Sequence, residues 1–255
     1  MKSDFPILEF DESREAVIEP QKLFPPIDIA EHCVITFFGE VVSKVKETHL
    51  VKTVHSDRWE SGMVYIHETE HNGRRVAFGV CPVSAPSAAV YLEEAIARGC
   101  RKFIVCGGAG VLDREIARGK LMVPDIAVRD EGTSYHYLPP AREVAAHPEA
   151  MAAIEATLQE KKVDYLVGKT WTTDAICRET PAKVQLRRSE GCLSVEMEAA
   201  AFFAVAQFRG VKLGQILYAG DDVSGIEWDD RRSSDWQPSV REQLFWLAVD
   251  ACLKL

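Results

Sequence analysis

The chain has 255 residues, 47% of them apolar, which is enough to bury the core of one large α/β domain. Its formal charge of −9, with no Lys/Arg-dominated segment, argues against a nucleic-acid-binding or acidic-membrane surface and leaves a small molecule or another subunit as the partner. No apolar run approaches the ~20 residues that span a bilayer, and "MKSDFPILEFDESREAV" carries acids where a signal peptide carries its apolar stretch, so a cytoplasmic location is expected.

Residues 1–30, broken by Pro6, Pro20, Pro25 and Pro26, read as an extended N-terminal arm, and residues 31–255 as one domain. In chain order the β-branched runs "CVITFF", "MVYIHE" and "RVAFGVC" are followed by the helix "SAAVYLEEAIARG". There Ala89, Leu92 and Ile96 form the apolar face, Glu93, Glu94 and Arg98 lie opposite, Ser87 caps the start and Gly99 ends it. Next come the strands "KFIVCGG" and "KLMVPDIAVR", a helical pattern over "REVAAHPEAMAAIEATLQEKK", the strand "VDYLVGKTWT" and a helix over "LSVEMEAAAFFAVAQFRG". The strand "KLGQILYAG" and the helix "VREQLFWLAVDACL" close the chain. Strands alternating with helices predict a single-domain, three-layer α/β/α fold around a mixed, largely parallel sheet.

The seven cysteines are odd in number, scattered and never spaced as CxxC, so they are expected to be reduced core residues. The histidines are dispersed, and no metal is expected.

Ligands of such sheets bind at the carboxyl ends of the strands, which points to three loops. "CGGAGVLD" has three glycines in four positions and lets backbone amides approach a phosphate, sugar or base, but it is not GxGxxG and serves equally as a tight turn. In "TWTTDAICRET", Asp174 could cap the next turn and Arg178 could pair with a surface acid, or both could face a ligand. "AGDDVSG" sets two aspartates directly after an apolar strand, where one can cap a turn and the other can act as an acid.

A fourth stretch is less ordinary. Glu196 and Glu198 begin an apolar helix, yet residues two apart on a helix diverge by about 200°, so both share one face only if the chain enters from a strand or bulge. One can then cap the helix while the other faces a cavity, where a vicinal diol such as that of ribose would satisfy its two oxygens.

These stretches together resemble the nucleoside phosphorylase-I family of purine nucleoside and uridine phosphorylases, over about residues 32 to 253. The most specific mark is "VEMEAAAFFAVA"; "APSAAVYLEEAIARG", "CGGAGVL", "GKLMVPDIAVRDEGTSYHYLPP", "WTTDA" and "GDD" follow in family order. The resemblance implies that Glu198 holds the ribose hydroxyls, that Met197 packs under the sugar, and that Glu196 borders the base pocket. By the same resemblance Gly108, Ala109 and Gly110 line the floor, Asp221 protonates the leaving base, and Arg231 or Arg232 assists it. Ile176 replaces the family's aromatic partner of the base, leaving Trp171 or Phe202 to stack.

The implied reaction is cleavage of the N-glycosidic bond of a purine or pyrimidine nucleoside, with no cofactor and with orthophosphate as co-substrate. Gly39 and Arg58 would serve the phosphate, Arg58 being lent by a neighbouring subunit of a homo-oligomer, a dimer or trimer of dimers. The family's own phosphate arginines are absent: Ser43 and Val105 stand in their places, and Glu40 follows Gly39. Lys44, Arg101 or Arg178 could substitute. The same losses suit a nucleosidase that uses water, or a nucleoside-binding protein without catalysis.

Overall fold

A computed structural model describes residues 2–60, 62–231 and 238–255; Arg232, expected to assist the leaving base, lies outside the described residues. The arm contributes a short 3-10 turn at Pro6–Leu8 and the helix α1, Pro20–Leu23, and it is tied to the body where Ile27 N donates to Arg98 O.

The strands are β1 His32–Thr36, β2 Lys52–Trp59, β3 Gly62–His71, β4 Arg74–Val80, β5 Lys102–Val111, β6 Leu121–Asp130, β7 Glu143–Ala145, β8 Tyr165–Thr173, β9 Cys192–Glu196 and β10 Lys212–Asp222. The helices are α2 Gly39–Thr48, α3 Ala85–Arg98, α4 Pro148–Glu160, α5 Pro181–Ser189, α6 Ala199–Arg209 and α7 Pro238–Cys252.

The strands join in the order β10-β6-β8-β9-β5-β1-β4-β3-β2, with β7 on β6, and β10 also pairs with β5. The sheet therefore closes on itself through β5, β9, β8, β6 and β10, while β1 and the meander β4-β3-β2 extend from β5 as an open wing. β1 pairs in parallel with β4 and β5, and β5 with β10, whereas the β5–β9 pair and the meander are antiparallel.

Period-two alternation divides the two helical layers. Cys33, Ile35, Phe103 and Val105 face α3 and α6, whose Leu92, Ala95, Phe202 and Phe203 are buried against them. Val34, Ile104 and Cys106 face the opposite layer, packed with Val41, Ile154, Phe245 and Val249 of α2, α4 and α7. Six cysteines are buried free thiols, and Cys177 is exposed.

Five features depart from the sequence reading. Helix α2, strand β2 and helix α5 were not anticipated, although α2 buries Val41, Val42 and Val45 at helical spacing. The helical pattern over 142–162 divides into strand β7 and helix α4, since Pro148 has no amide to continue a helix but suits its first turn. Helix α3 is capped by Ser84, whose Oγ accepts the Ser87 amide, and not by Ser87. Glu93, Glu94 and Arg98, expected to face solvent, are buried: Glu93 pairs with Arg209 of α6 at 2.8 Å, and Glu94 lies 2.9 Å from the His55 imidazole. Finally, "LSVEMEAAAFF" is not one helix, for β9 ends at Glu196 and α6 starts at Ala199.

Candidate active site

The break between β9 and α6 separates the roles of the two glutamates. Glu196 ends a strand, and its Oε2 turns back to accept the amides of Glu198 at 2.7 Å and Ala199 at 2.6 Å, while its Oε1 accepts Thr172 Oγ1 at 2.6 Å. It caps α6 from inside the protein. Glu198, one turn-residue later, accepts the Ser84 amide on Oε1 at 2.7 Å and is 5% exposed. Burial pushes both carboxyls above the usual carboxylate range, and the charge of Glu198 pushes Glu196 further.

Ser84 reaches Glu198 at a cost. Its φ of +116° lies in a region that a non-glycine residue rarely adopts, and one bend of the chain both caps α3 through Oγ and aims its amide at Glu198. Backbone strain of this kind persists where surrounding structure over-determines it.

The two aspartates after β10 also divide. Asp222 is 1% exposed, accepts the Ser224 amide at 2.8 Å and lies 3.4 Å from the Arg231 guanidinium, so it holds its own loop together. Asp221 is half-buried and accepts the Trp228 indole N–H on Oδ2 at 2.7 Å.

A cavity of about 260 Å³ unites the expected residues: Gly108, Ala109, Gly110, Ile176, Glu196, Met197, Glu198 and Asp221 all line it. An adjoining hollow of about 370 Å³ continues past Asp221 between Ile176, Glu179 and Trp228. Glu179 borders both spaces; burial, and then the charge of Asp221, raise its carboxyl to about 7, so near neutrality it keeps a proton beside Asp221.

Other expected residues lie elsewhere. Gly39 opens α2 and Arg58 is exposed on β2; neither lines the cavity within one chain. Trp171 and Phe202, named for stacking, are both fully buried in the core, Trp171 spending its indole N–H on Asp130 at 2.9 Å. Trp228 is the aromatic ring beside Asp221 instead. Lys44 pairs with Glu242, Arg101 donates to the carbonyls of Ile96 and Cys100, and Arg178 is exposed. Asp174 is exposed and accepts the Gly132 amide at 2.8 Å.

Glu179, Tyr218 and Trp228 were missed as site residues. A raised carboxyl and an indole held by an aspartate seven residues away are products of packing, with no local signature. Only the position of Tyr218, three residues before Asp221 on the same strand, was open to inspection.

The α/β/α scaffold thus sets a buried carboxylate, Glu198, and a half-buried acid, Asp221, on the lining of one cavity. The chain belongs to the phosphorylase superfamily, whose family model matches residues 31–252. It is 29% identical over 154 residues to the guanosine phosphorylase of Halorubrum lacusprofundi, covering 58% of this chain and 64% of that protein. It is 24% identical over 159 residues to the uridine phosphorylase of Haemophilus influenzae, covering 57% and 63%. The chain thus aligns to somewhat under two thirds of the length of each. The crystal structure of the uridine phosphorylase of Vibrio fischeri superposes with a TM-score of 0.75 at 23% identity, over 89% of this chain and 92% of that one, and establishes the shared fold. Among the described residues, no helix is long and apolar enough to cross a membrane.

Proposed function

We propose that this protein is a nucleoside-cleaving enzyme of the phosphorylase type, breaking the N-glycosidic bond of a purine or pyrimidine nucleoside without a cofactor. The observation that carries the reading is that Glu198 and Asp221 line one cavity, with half-buried Met197 on the same lining. Family membership and the names of the relatives, guanosine and uridine phosphorylase, support a nucleoside as substrate.

In this reading Glu198 accepts the 2′- and 3′-hydroxyls while Ser84 holds its far oxygen. Gly108, Ala109 and Gly110 floor the sugar, and the base extends toward Ile176, Glu179 and Trp228. As the bond lengthens, positive charge grows on the sugar and negative charge on the base. The buried acids favour the first, and a proton from Asp221 relieves the second, worth about 10²–10⁴ in rate. Glu179 can resupply that proton.

The protein is further read as a homo-oligomer, since Met63 and Tyr65 stand 49% and 42% exposed on β3 beside Arg58 of the adjacent strand. Six buried free thiols suit a reducing, cytoplasmic setting.

The test is base release from a panel of inosine, guanosine, adenosine and uridine. Turnover of at least one is expected, and it should vanish in Asp221→Ala. Saturable nucleoside binding without release of any base would refute the reading in favour of a binding protein.

A further inference from the structure

The cavity that joins Glu198 to Asp221 has an unusual charge balance. Four carboxyl side chains line it, Glu179, Glu196, Glu198 and Asp221, and no arginine, lysine or histidine does so among the described residues. A phosphate dianion needs positive donors, preferably guanidinium forks, and the charged side chains on this lining are all acids.

The wall beyond the glycines of β5 is also filled. Tyr218 of β10 stands opposite Gly108 of β5 in the parallel register. A Cβ on Gly108 would lie 2.9 Å from two carbons of the phenol ring and 3.0 Å from its oxygen, so the ring takes the room over that glycine. Beside it, the Phe37 ring would come within 3.1 Å of a Cβ on Gly107.

Tyr218 is held there from behind. Its hydroxyl oxygen accepts Arg241 Nε at 3.1 Å and Nη2 at 2.9 Å, Arg241 Nη1 donates to Glu40 at 2.8 Å, and the Phe38 ring packs against the phenol at 5.9 Å between centroids. Arg241 lies with Arg118 on a neighbouring hollow of about 560 Å³ that shares Tyr218, Ile176 and Asp221 with the cavity, and the Tyr218 ring lines both spaces.

Resting on the glycosidic-cleavage reading, we propose that the sugar is passed to water and not to orthophosphate, and that Tyr218 is the residue that excludes the anion. The step balances without a co-reactant other than water. The C1′–N bond breaks with its electron pair going to the base nitrogen, which takes a proton from Asp221. The water oxygen forms the new C1′–O bond, and the proton that water loses restores the one given by Asp221. Free base and free ribose are the products.

The experiment uses the full-length, assembled protein, so that any side chain lent by a second copy is present. Base release is measured in phosphate-free buffer and in excess inorganic phosphate, with sugar products identified and ¹⁸O-labelled water supplied. Equal rates, free ribose and ¹⁸O at C1 are the expected result. Release that rises about tenfold or more with phosphate and yields ribose 1-phosphate would overturn the acceptor assignment while leaving glycosidic cleavage standing. No release in either buffer would remove both.

Tyr218→Ala removes the ring between the cavity and the hollow that holds Arg241 and should acquire a saturable phosphate effect on base release, whereas Tyr218→Phe, which keeps the ring, should remain indifferent to phosphate. If the two variants respond alike, Tyr218 is not the excluding residue.

Discussion

Replacing Glu198 by glutamine separates its role as a sugar ligand from its role in the fold. One carboxylate oxygen takes the Ser84 amide at 2.7 Å, and the side chain lines the cavity. A carboxamide keeps the shape but has a single acceptor oxygen, so it can serve Ser84 or a ribose hydroxyl but not both. Hydrogen bonds to a charged group contribute about 1.5–3 kcal/mol each, so Glu198→Gln should lower kcat/KM by about 10- to 150-fold. Glu198→Ala, which loses both sugar contacts, should lower it by about 10²–10⁴.

Stability should move the other way. Burial raises the Glu198 carboxyl from its ordinary 4.5, so over the pH range between 4.5 and the raised value the folded state binds more protons than the unfolded one. Stability then falls as pH rises through that range. Glutamine does not titrate, so relative to the parent the variant should gain melting temperature on going from mildly acidic to mildly alkaline pH. The assay pairs kcat/KM for a ribonucleoside and its 2′,3′-dideoxy analogue with melting curves at both pH values. Equal losses on both substrates, or a lower melting temperature at alkaline pH, would refute the assignment of Glu198 to the diol.

Three other perturbations probe the remaining parts. Asp221→Asn should lower base release by about 10²–10⁴ for natural nucleosides and much less for a nitrophenyl riboside, whose leaving group needs no proton; an equal loss on both would exclude the acid role. Glu179, raised to about 7, loses its proton as pH passes neutrality, so kcat/KM of the parent should decline above pH 7; this limb should flatten in Glu179→Gln, measured as a pH–rate profile. Gly108→Ala forces a methyl to within 2.9 Å of the Tyr218 ring and should destabilise the fold by about 1–3 kcal/mol, most of it regained in the Gly108→Ala/Tyr218→Ala double variant by denaturant unfolding.

Much of the scaffold is written locally. The alternation in "KFIVC" sends Phe103 and Val105 to one layer and Ile104 to the other, and the strand conformation makes that outcome independent of anything distant. Proline and glycine mark the ends of α3 through local backbone constraints, although the cap itself is Ser84, three residues earlier than Ser87, because the chain there takes an uncommon positive φ. The surface elements α2, β2 and α5 were not legible, since a half-exposed segment satisfies its apolar needs against neighbours that its own sequence does not name.

At the site, the sequence alone determined that two glutamates two residues apart cannot share a helical face, because helical geometry fixes their divergence. Only the tertiary structure decided which one turned inward: Thr172 and the first amides of α6 engage Glu196, and Ser84, more than a hundred residues away in the chain, engages Glu198. The sequence likewise displays Ser43 and Val105 where the family resemblance implies two phosphate-binding arginines. That a tyrosine from β10 fills the space over Gly108, backed by Arg241 from α7, was decided by strand register and helix packing, which bring together residues with no local relation in the chain.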